Sequence, residues 1–468
     1  MVFGSLIFIF GFLPVFFPIY YLVPVKGRNL VLFAGSLAFY GYGVKEEPEY
    51  FWLLLLSVLV NYLCGVLIGR SKTRGGGGIW LGAGLFYNVG LLLFFKYTDF
   101  LLETGNRIAS LAGFGEVFSL LHLVLPVGIS FYTFQSISYL VDVYRGDTRY
   151  ESSLIAFGAY LCMFPQLIAG PIVTHARVRR QLRHKAVCGK NTEEGLREFT
   201  IGLGMKVLVA NQMGRLWGQV EAIGFESIST PMAWLGLAAF SFQIYFDFYG
   251  YSRMARGLGL MLGFYFPDNF QDPYLSGSVT EFWRRWHMTL GSWFREYVYI
   301  PLGGNRAHLL RNTLAVWLLT GLWHGASWNF VLWGLLHCGL ILMEKAGLKR
   351  ILAHSPFRGH LYMSILIPLS WLLFAVPDLA QARLYFLRCF PFPGQETAAV
   401  FAGDFLKYGE MYAISLSAAL LLCTGIPGRL YRKYKTSLAA VLFLLAVFWG
   451  SVWCMHMGME DPFLYFRF

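Results

Sequence analysis

Long apolar runs follow one another along the whole chain, with short polar or glycine-containing segments between them. An α-helix needs about 20 apolar residues to cross a bilayer, and many of these runs approach that length. The pattern predicts about eleven to thirteen transmembrane or re-entrant helices. Their approximate bounds are 4–24, 29–43, 50–69, 79–101, 123–142, 152–172, 200–222, 231–263, 312–345 (two helices), 361–378, 410–425 and 437–457.

The stretches between these runs are too short for a soluble domain of useful size. The composition agrees, because 56% of the residues are hydrophobic and only 14% are charged, whereas soluble domains carry about 25% charged residues. No basic residue precedes Lys26, so the first run lacks the positive front end of a cleavable signal peptide. The sequence therefore predicts an all-α integral membrane protein with one polytopic domain over residues 1–468.

The net charge is +12, and the basic residues of a membrane protein collect in its cytoplasmic loops. The groups that fit such loops are Lys26 and Arg28, then Arg70, Lys72 and Arg74, then Arg429, Arg432, Lys433 and Lys435. The acidic turn at 46–49 then falls on the opposite side of the membrane. We expect the basic surface to meet membrane lipids, and we do not expect nucleic-acid binding.

A further basic segment at 177–185 conflicts with this topology. It follows the run 152–172 directly, and counting simple spans places it on the wrong side of the membrane. The sequence from Phe164 to Pro171 breaks a helix twice, which membrane proteins tolerate where the backbone is covered by protein or lines a cavity. A re-entrant element within 123–172 would resolve the conflict, although the sequence does not say which part forms it.

Two patterns argue against common kinds of site. The seven cysteines contain no Cys-x-x-Cys spacing and the ten histidines form no His-x-x-x-His pair, so we expect neither a disulfide framework nor a metal site. The four glycines at 75–78 precede no Gly-Lys-Ser/Thr motif, and we interpret them as a flexible loop, not as a phosphate cradle.

The segment 274–306 is too charged to span a membrane. It mixes arginines with aromatic residues, which is typical of an interfacial or partly embedded amphipathic helix. Pro301 and the pair Gly303–Gly304 would end that helix. On it, Trp283 and His287 would share one face.

His324 and His287 are the candidate catalytic residues. His324 lies in an apolar, tryptophan-rich run (321–337), where an ionisable group usually faces the protein interior or a water-filled cavity and has a function. An imidazole can take a proton from a hydroxyl and return it, which contributes about 10²–10⁴-fold in rate. His287 could carry a second proton or donate a hydrogen bond to an acyl carbonyl. Either histidine could instead have only a packing or surface role, and a packing role is our interpretation of His337 and His456.

Other side chains are candidates for substrate binding, namely Trp286, Trp323, Trp328, Arg284, Arg285, Arg295 and Asp247. The tryptophans could wall a cavity or be ordinary core or interface residues. The arginines could bind the phosphates of an acyl donor, but lipid headgroups or structural pairing explain them as well. Asp247 lies in an aromatic run, where burial disfavours its charged form unless a cation compensates. A structural partner for it, such as an arginine of the segment 284–306, is the simpler explanation.

Six sequence runs together resemble the membrane-bound O-acyltransferase (MBOAT) superfamily, and within it the alginate O-acetylation, or AlgI-like, branch. The runs are Phe-Pro-Gln-Leu-Ile-Ala-Gly-Pro-Ile (164–172), Gln-Ile-Tyr-Phe-Asp-Phe (243–248), Thr-Glu-Phe-Trp-Arg-Arg-Trp-His (280–287), Tyr-Ile-Pro-Leu-Gly-Gly-Asn-Arg (299–306), Gly-Leu-Trp-His-Gly-Ala (321–326) and Phe-Leu-Tyr-Phe-Arg-Phe (463–468). The resemblance covers the whole chain and is densest at 160–340.

The resemblance implies a helical bundle around a central tunnel, with a catalytic core at about 160–345. The signature histidine of the superfamily falls on His324, and the second histidine of the branch falls on His287. It implies an O-acetyltransferase in the plasma (inner) membrane that binds no cofactor, takes acetyl-CoA as its donor and modifies an exported or cell-wall polysaccharide. A periplasmic or extracellular acetyltransferase partner often completes the transfer in this branch.

The chain departs from the pattern of the branch at Tyr249 and Arg253, where a small residue and an acid are expected, and at Thr174 and His175, which replace Arg-Tyr. These differences leave both histidines in place but affect the choice of acceptor and partner. Three other functions remain open. D-alanyl transfer to teichoic acid would need a carrier protein, a transporter would have paired inverted repeats that the sequence lacks, and a scaffold would work without either histidine.

Overall fold

The computed structural model describes residues 2–168, 170–184, 187–390, 401–458 and 464. Within these residues the chain forms helices joined by turns and loops, with no β-strand. The predicted all-α fold is therefore confirmed. The chain divides into two compact units, of which the first contains Met1–Leu196, Ala255–Pro267 and Arg295–Tyr297, and the second contains Arg197–Met254, Asp268–Phe294 and Val298–Phe468. The expectation of a single domain over residues 1–468 stays a prediction, as does the tunnel.

The helices of the first unit are mostly apolar, and the segment between α5 and α6 is the long connection among them. They are α1 Leu13–Leu22, α2 Arg28–Gly43, α3 Glu49–Arg70, α4 Arg74–Leu92, α5 Thr98–Leu111, α6 Ile129–Arg145, α7 Leu154–Cys162, α8 Phe164–Leu167 and α9 His175–Arg183. Two longer helices, α10 Gly189–Gly204 and α12 Thr230–Leu262, contribute residues to both units, with α11 Asn211–Ile223 between them in the chain.

The remaining helices belong to the second unit. They are α13 Val279–Arg285, α14 Met288–Phe294, α15 Leu309–His324, α16 Trp328–Met343, α17 Lys349–Ala353, α18 Pro356–Ala375, α19 Leu379–Cys389, α20 Asp404–Met411, α21 Ala413–Cys423, α22 Ile426–Tyr434 and α23 Leu438–His456. Wider helical turns continue several helices of the chain, at Ile7–Phe12, Leu93–Tyr97, Met205–Ala210, Arg295–Tyr299 and Glu344–Leu348.

Five of the described helical runs are long and apolar enough to cross a membrane, and the bent pair α20 and α21, with 71° between its helices, would make a sixth. The five are Glu49–Arg70, Arg74–Leu111, Trp328–Ala353, Pro356–Ala375 and Leu438–His456. This confirms a polytopic membrane protein. Other predicted runs form shorter or broken helices, because prolines, glycines and bends interrupt them. For example, the run 123–142 becomes helical only at Ile129.

The segment 154–174 reverses direction instead of crossing the first unit. The short helix α8 follows α7, and the chain then returns beside α7, where the Tyr160 hydroxyl donates to the carbonyl of Val173 at 3.0 Å. The return brings His175 to 3.6 Å from Glu151, which precedes α7. The segment thus begins and ends at the same end of the unit, and it is the kind of element that the topology conflict requires.

The same contacts place the basic helix α9 beside the first basic loops. The amide of Asn29 donates to the carbonyl of Leu182 at 3.0 Å, and Gly69 packs against the ring of Tyr150 too closely to admit a Cβ. The start of α2, the end of α3 and helix α9 therefore lie at one end of the first unit. That arrangement agrees with the predicted collection of basic residues on one side. Lys185 lies outside the described residues.

The prediction of a flexible loop at 75–78 is wrong. The four glycines form the first turn of α4, which Thr73 caps by accepting a hydrogen bond from the backbone N–H of Gly76 at 3.2 Å. A threonine cap satisfies a backbone donor that the helix itself leaves free, and this offsets part of the conformational entropy that glycine loses in a helix.

Candidate active site

His324 is the last residue of α15, at the tight turn that leads into α16. The two helices form a close antiparallel hairpin because glycines face each other across it. A Cβ on Gly321 would collide with the backbone carbonyl of Phe330, and one on Gly334 would collide with that of Trp317. The amide of Asn329 donates to the carbonyl of Leu373 at 2.7 Å, which joins the start of α16 to the end of α18. The hairpin therefore fixes the backbone around His324.

Aromatic rings surround the imidazole of His324, of which 7% is exposed. The ring centroids of Phe374 and Trp333 lie 4.9 Å and 5.3 Å from it, both in edge-on geometry. Phe330 stacks at 6.5 Å and Trp323 lies at 4.9 Å. These rings exclude bulk water and create a low-dielectric surrounding, in which a proton-transfer group interacts strongly with developing charge.

His287 does not lie on a helix face with Trp283, so that part of the prediction is wrong. Helix α13 ends at Arg285 and α14 begins at Met288, and His287 between them has a φ of 42°. A positive φ is uncommon for a residue with a Cβ and is a kind of local strain that clusters at functional sites. The imidazole is buried, with 2% exposed.

Asn269 holds the strained turn in place from a neighbouring loop. The backbone carbonyl of Asn269 accepts a hydrogen bond from the backbone N–H of Met288 at 2.9 Å. Its side-chain oxygen lies 3.0 Å from Nδ1 of His287 and also accepts from the backbone N–H of Thr289 at 3.3 Å. Its side-chain amide donates to the Ser252 hydroxyl at 3.1 Å. The helix is therefore broken here by hydrogen bonds to a residue distant in the sequence, which local helix propensity cannot predict.

These contacts fix the tautomer of His287. A backbone N–H can only donate, so the atom of Asn269 that faces Thr289 is the oxygen, and Nδ1 of His287 must donate to it. The proton of the neutral ring is then on Nδ1, and Nε2 carries a lone pair. Nε2 is buried and has no hydrogen-bond partner among the described residues. His287 lies outside the helices long enough to cross a membrane, and burial lowers its pKa from 6.5 to about 3, so the ring is neutral at physiological pH.

Trp323 connects the two histidines. Its ring centroid lies 5.8 Å from that of His287 and 4.9 Å from that of His324. On the other side of His287, the ring of Phe248 packs edge-on at 4.6 Å. All of these residues belong to the second unit. The structure thus brings together the two histidines and one of the three candidate tryptophans.

The other two candidate tryptophans lie elsewhere. Trp286 is buried next to His287 in the chain, and its ring packs on Trp371 at 5.0 Å and on Phe270 at 5.0 Å. Trp328 begins α16 and is 43% exposed. Trp286 therefore belongs to the packing behind the site, whereas Trp328 faces outward.

The candidate arginines are not buried, whereas both histidines are. Arg284 is exposed, and Arg285 forms an ion pair with Glu281 one turn earlier at 2.7 Å. Arg295 is exposed and belongs to the first unit. Within the described residues, no three histidine, cysteine, aspartate or glutamate side chains lie together as ligands for a metal ion.

Asp247 lies next to Phe248 on α12 but is held by a lysine. Lys206 Nζ lies 2.7 Å from its carboxylate, and the backbone N–H of Leu464 donates to it at 2.7 Å. The sequence pointed to an arginine of 284–306, whereas this cation comes from the turn after α10. The ion pair gives Asp247 a structural setting. Except for Leu464, the terminal run 463–468 lies outside the described residues, as does Ala169 of the run 164–172.

Sequence reasoning missed Asn269, because it precedes His287 by many residues and lies in an extended loop without a motif. It also missed Glu344, whose carboxylate accepts from the backbone N–H groups of Val279 at 2.6 Å and Thr280 at 2.9 Å. His337, interpreted as a packing residue, is fully buried and accepts a hydrogen bond at Nδ1 from Nε1 of Trp283 at 3.2 Å.

Residues 147–376 match the model of the membrane-bound O-acyltransferase family, a range that includes both histidines and every residue around them. The chain is also similar to curated proteins of known name. It is 39% identical over 398 residues to the probable alginate O-acetylase AlgI of Azotobacter vinelandii, covering 84% of this chain and 78% of the relative.

Two relatives with other names extend the comparison. A peptidoglycan O-acetyltransferase of Helicobacter pylori is 36% identical over 430 residues, covering 82% of this chain and 78% of the relative. A teichoic acid D-alanyltransferase of Bacillus subtilis is 27% identical over 237 residues, covering 47% of this chain and 59% of the relative. The similarity to O-acetylating proteins is thus both higher and longer than that to the D-alanyl-transferring one.

Proposed function

Because the chain belongs to the membrane-bound O-acyltransferase family, in its alginate O-acetylase-like branch, and is an O-acyltransferase, we propose that it acetylates hydroxyls of an exported or cell-wall polysaccharide. The observation that supports this most directly is the pair of buried histidines joined by Trp323. Acyl transfer to a hydroxyl needs a group that accepts the hydroxyl proton and a site that excludes water as an alternative acceptor. The aromatic surrounding of His324 and the fixed lone pair of His287 suit both needs.

In this proposal the acceptor oxygen attacks the carbonyl carbon of an acetyl thioester. His324 takes the proton of the hydroxyl as general base, the C–O bond forms, and the C–S bond breaks as the tetrahedral intermediate collapses. The leaving thiolate then receives the proton. Where a partner's nucleophile accepts the acetyl group first, the same base serves that nucleophile.

His287 has the role of a second proton carrier. The sequence left open whether it moves a proton or donates a hydrogen bond to the developing oxyanion. With the proton on Nδ1 facing Asn269, Nε2 can accept but cannot donate until the ring is protonated. Burial lowers the pKa of His287 to about 3, so the ring enters the reaction neutral, and a proton taken up at Nε2 is passed on readily because the charged form is disfavoured.

The finer parts of the proposal are the donor, the partner and the membrane. We take acetyl-CoA from the cytosol as the donor and the plasma (inner) membrane as the location, with transfer toward the opposite side. A periplasmic or extracellular acetyltransferase is the proposed partner. The protein itself holds no resident cofactor in this scheme. Trp323 would line the reaction space, whereas Arg284, Arg285 and Arg295 are better explained by pairing or lipid contact.

D-alanyl transfer is the second candidate function. The similarity of residues in this chain to a teichoic acid D-alanyltransferase favours it, but that match covers only 47% of the chain. Supplying D-alanine on a carrier protein in place of acetyl-CoA tests it directly.

The test of the proposal is His324→Ala in membranes that contain the full chain, supplied with labelled acetyl-CoA and with alginate or peptidoglycan as acceptor. Base-labile label on the polymer should fall at least a hundredfold, since general base catalysis is worth about 10²–10⁴-fold. His456→Ala is the matched control, because that histidine is exposed at the end of α23. Wild-type transfer by a folded His324→Ala protein would refute the proposal.

A further inference from the structure

Helix α13, which leads directly to His287, is attached to α16 at both of its turns. Glu344, just after α16, accepts the backbone N–H groups of Val279 and Thr280 at the first turn of α13. One turn later, Nε1 of Trp283 donates to Nδ1 of His337 on α16 at 3.2 Å. His337 and Glu344 lie two turns apart and so occupy one face of the same helical run.

The contact of Glu344 is a helix cap made by another helix. The first N–H groups of a helix have no partner within it and must be satisfied from outside. The two carboxylate oxygens of Glu344 accept the first two donors, from Val279 and Thr280, and Ser278 accepts the third, from Glu281, at 3.1 Å. Glu344 is buried, with 2% exposed. A negative charge at a helix N-terminus is favourable, so this carboxylate fixes the start of α13.

The contact of His337 needs an imidazole for a reason other than packing. Because an indole N–H only donates, Nδ1 of His337 is the acceptor and its proton is on Nε2. That Nε2 is buried and has no hydrogen-bond partner among the described residues, which is unfavourable for a polar group taken out of water. An apolar side chain of similar size would fill the space between Trp317 and Trp333 without this cost. The hydrogen bond to Trp283 is what the imidazole supplies.

The other end of α16 belongs to the hairpin that holds His324. The start of α16 therefore lies beside His324, and its end is hydrogen-bonded to α13, the helix that leads to His287. A two-turn helix such as α13 has little stability of its own, so its position depends on its hydrogen bonds to Glu344 and His337. The separation of the two imidazoles, which Trp323 spans, depends in turn on α16.

We propose that His337 and Glu344 are positioning residues of the transfer reaction, which hold α13 on α16 and thereby set His287 relative to His324. The proposal rests on the proposed function, since it takes these two histidines as the reacting groups. Neither residue touches substrate in this scheme. Loss of their hydrogen bonds to α13 lowers the rate at saturating donor, because the proton carrier is displaced, and leaves the KM for the donor unchanged.

The test uses two amide substitutions of His337 in the full chain. His337→Asn places a carbonyl oxygen near the position of Nδ1, whereas His337→Gln places it near Nε2. We expect His337→Asn to keep at least half of the wild-type turnover with labelled acetyl-CoA and His337→Gln to lose about tenfold. Trp283→Phe removes the donor and should lose about as much as His337→Gln. The double variant of His337→Gln and Trp283→Phe should lose no more turnover than either single variant, because the two side chains share one hydrogen bond.

Trp317→Phe is the control for ring volume, because Trp317 stacks on the imidazole of His337 at 5.3 Å and makes the same indole-to-phenyl change as Trp283→Phe. It should keep most of the turnover. Equal losses for Trp317→Phe and Trp283→Phe, or equal turnover for His337→Asn and His337→Gln, would overturn the proposal and leave only packing. Gel filtration in detergent confirms that each variant is folded.

Glu344→Gln supplies a second, independent measurement. It keeps one oxygen acceptor and loses the charge, so turnover should fall about three- to tenfold at unchanged KM. A rise of KM with unchanged turnover would contradict the inference. The His324→Ala protein distinguishes a failure of the proposed function from a failure of the positioning role. If it is active, the proposed function fails; if it is inactive while His337→Gln and Glu344→Gln match the wild type, only the positioning role fails.

Discussion

The two histidines of the second unit are held in different ways. His324 ends a helix, and the rings of Trp333 and Phe374 pack around it. His287 interrupts a helix at a positive φ, and Asn269 binds both its ring and the backbone beside it. The rings around His324 exclude water, and the amide oxygen beside His287 also determines which of its ring nitrogens carries the proton.

The difference predicts two kinds of sensitivity. The setting of His324 depends on backbone spacing in the hairpin of α15 and α16, so steric changes there should act on folding. The setting of His287 depends on one side-chain oxygen, so a change of a few atoms at Asn269 should act on turnover with little effect on folding. The comparison would be contradicted if a steric change in the hairpin affected only turnover, or if a change at Asn269 acted mainly on folding.

The largest effect is expected from Gly334→Leu. Any Cβ at this position collides with the backbone carbonyl of Trp317, and backbone cannot move away as a flexible side chain can. We expect the hairpin to separate, with little folded protein recovered after solubilisation in mild detergent and gel filtration. Gly339→Leu on the same helix is the control, because a Cβ there has no neighbour within 4 Å. Similar yields of both variants would contradict the close packing described here.

A smaller effect, confined to turnover, is expected from Asn269→Ala. Without the amide oxygen, Nδ1 of His287 no longer has a fixed acceptor, and the loss of an orienting partner of this kind typically costs about 10–100-fold. The measurement is acetyl transfer from labelled acetyl-CoA, together with the melting temperature in detergent.

Asn269→Asp sharpens the same prediction. The carboxylate still accepts from Nδ1 but adds a negative charge, which favours the imidazolium form and raises the pKa of His287 above about 3. Activity should therefore be lost at higher pH on the acid side of the pH–rate profile than in the wild type. An unchanged acid limb in a folded, active Asn269→Asp protein would contradict the proton-carrier role of His287.

The smallest expected effect on acetyl transfer distinguishes Trp323 from Trp328, the two tryptophans near His324 in the sequence. Trp323→Phe keeps an aromatic ring but reduces the surface between the histidines, and we expect transfer to fall about three- to fivefold, equivalent to roughly 0.6–1 kcal/mol. Trp328→Phe should change it less than twofold, because Trp328 is 43% exposed. If Trp328→Phe were the more damaging change, the assignment of the inner wall would be wrong.

Much of the fold follows from the sequence because apolar runs of helical length dominate it. Hydrophobicity did not distinguish a crossing helix from a reversing one, however. The run 152–172 is as apolar as a span, yet Tyr160 and Val173 bond across it as two sides of a hairpin. The decisive information was the contact between His175 and Glu151, which lies between distant residues and has no local pattern.

The sequence singles out the two histidines of the candidate site but not the residues that support them. His324 and His287 stand out because ionisable groups are costly in apolar surroundings. The break in the helix before His287 did not, since Trp283 to Leu290 fits a helical face and only Asn269 opposes it. Trp323 and Trp328 looked equivalent in the sequence, and the turn after α15 sends one inward and the other outward.

The reversing segment 154–174 has a consequence for mapping the chain in a cell. It enters and leaves one end of the first unit, so it adds an even number of crossings to any count. Cysteines introduced near Lys72 and near Arg177, in a background without reactive native thiols, should react with the same membrane-impermeant reagent from the same compartment. A topology drawn from hydropathy alone would assign them to opposite compartments.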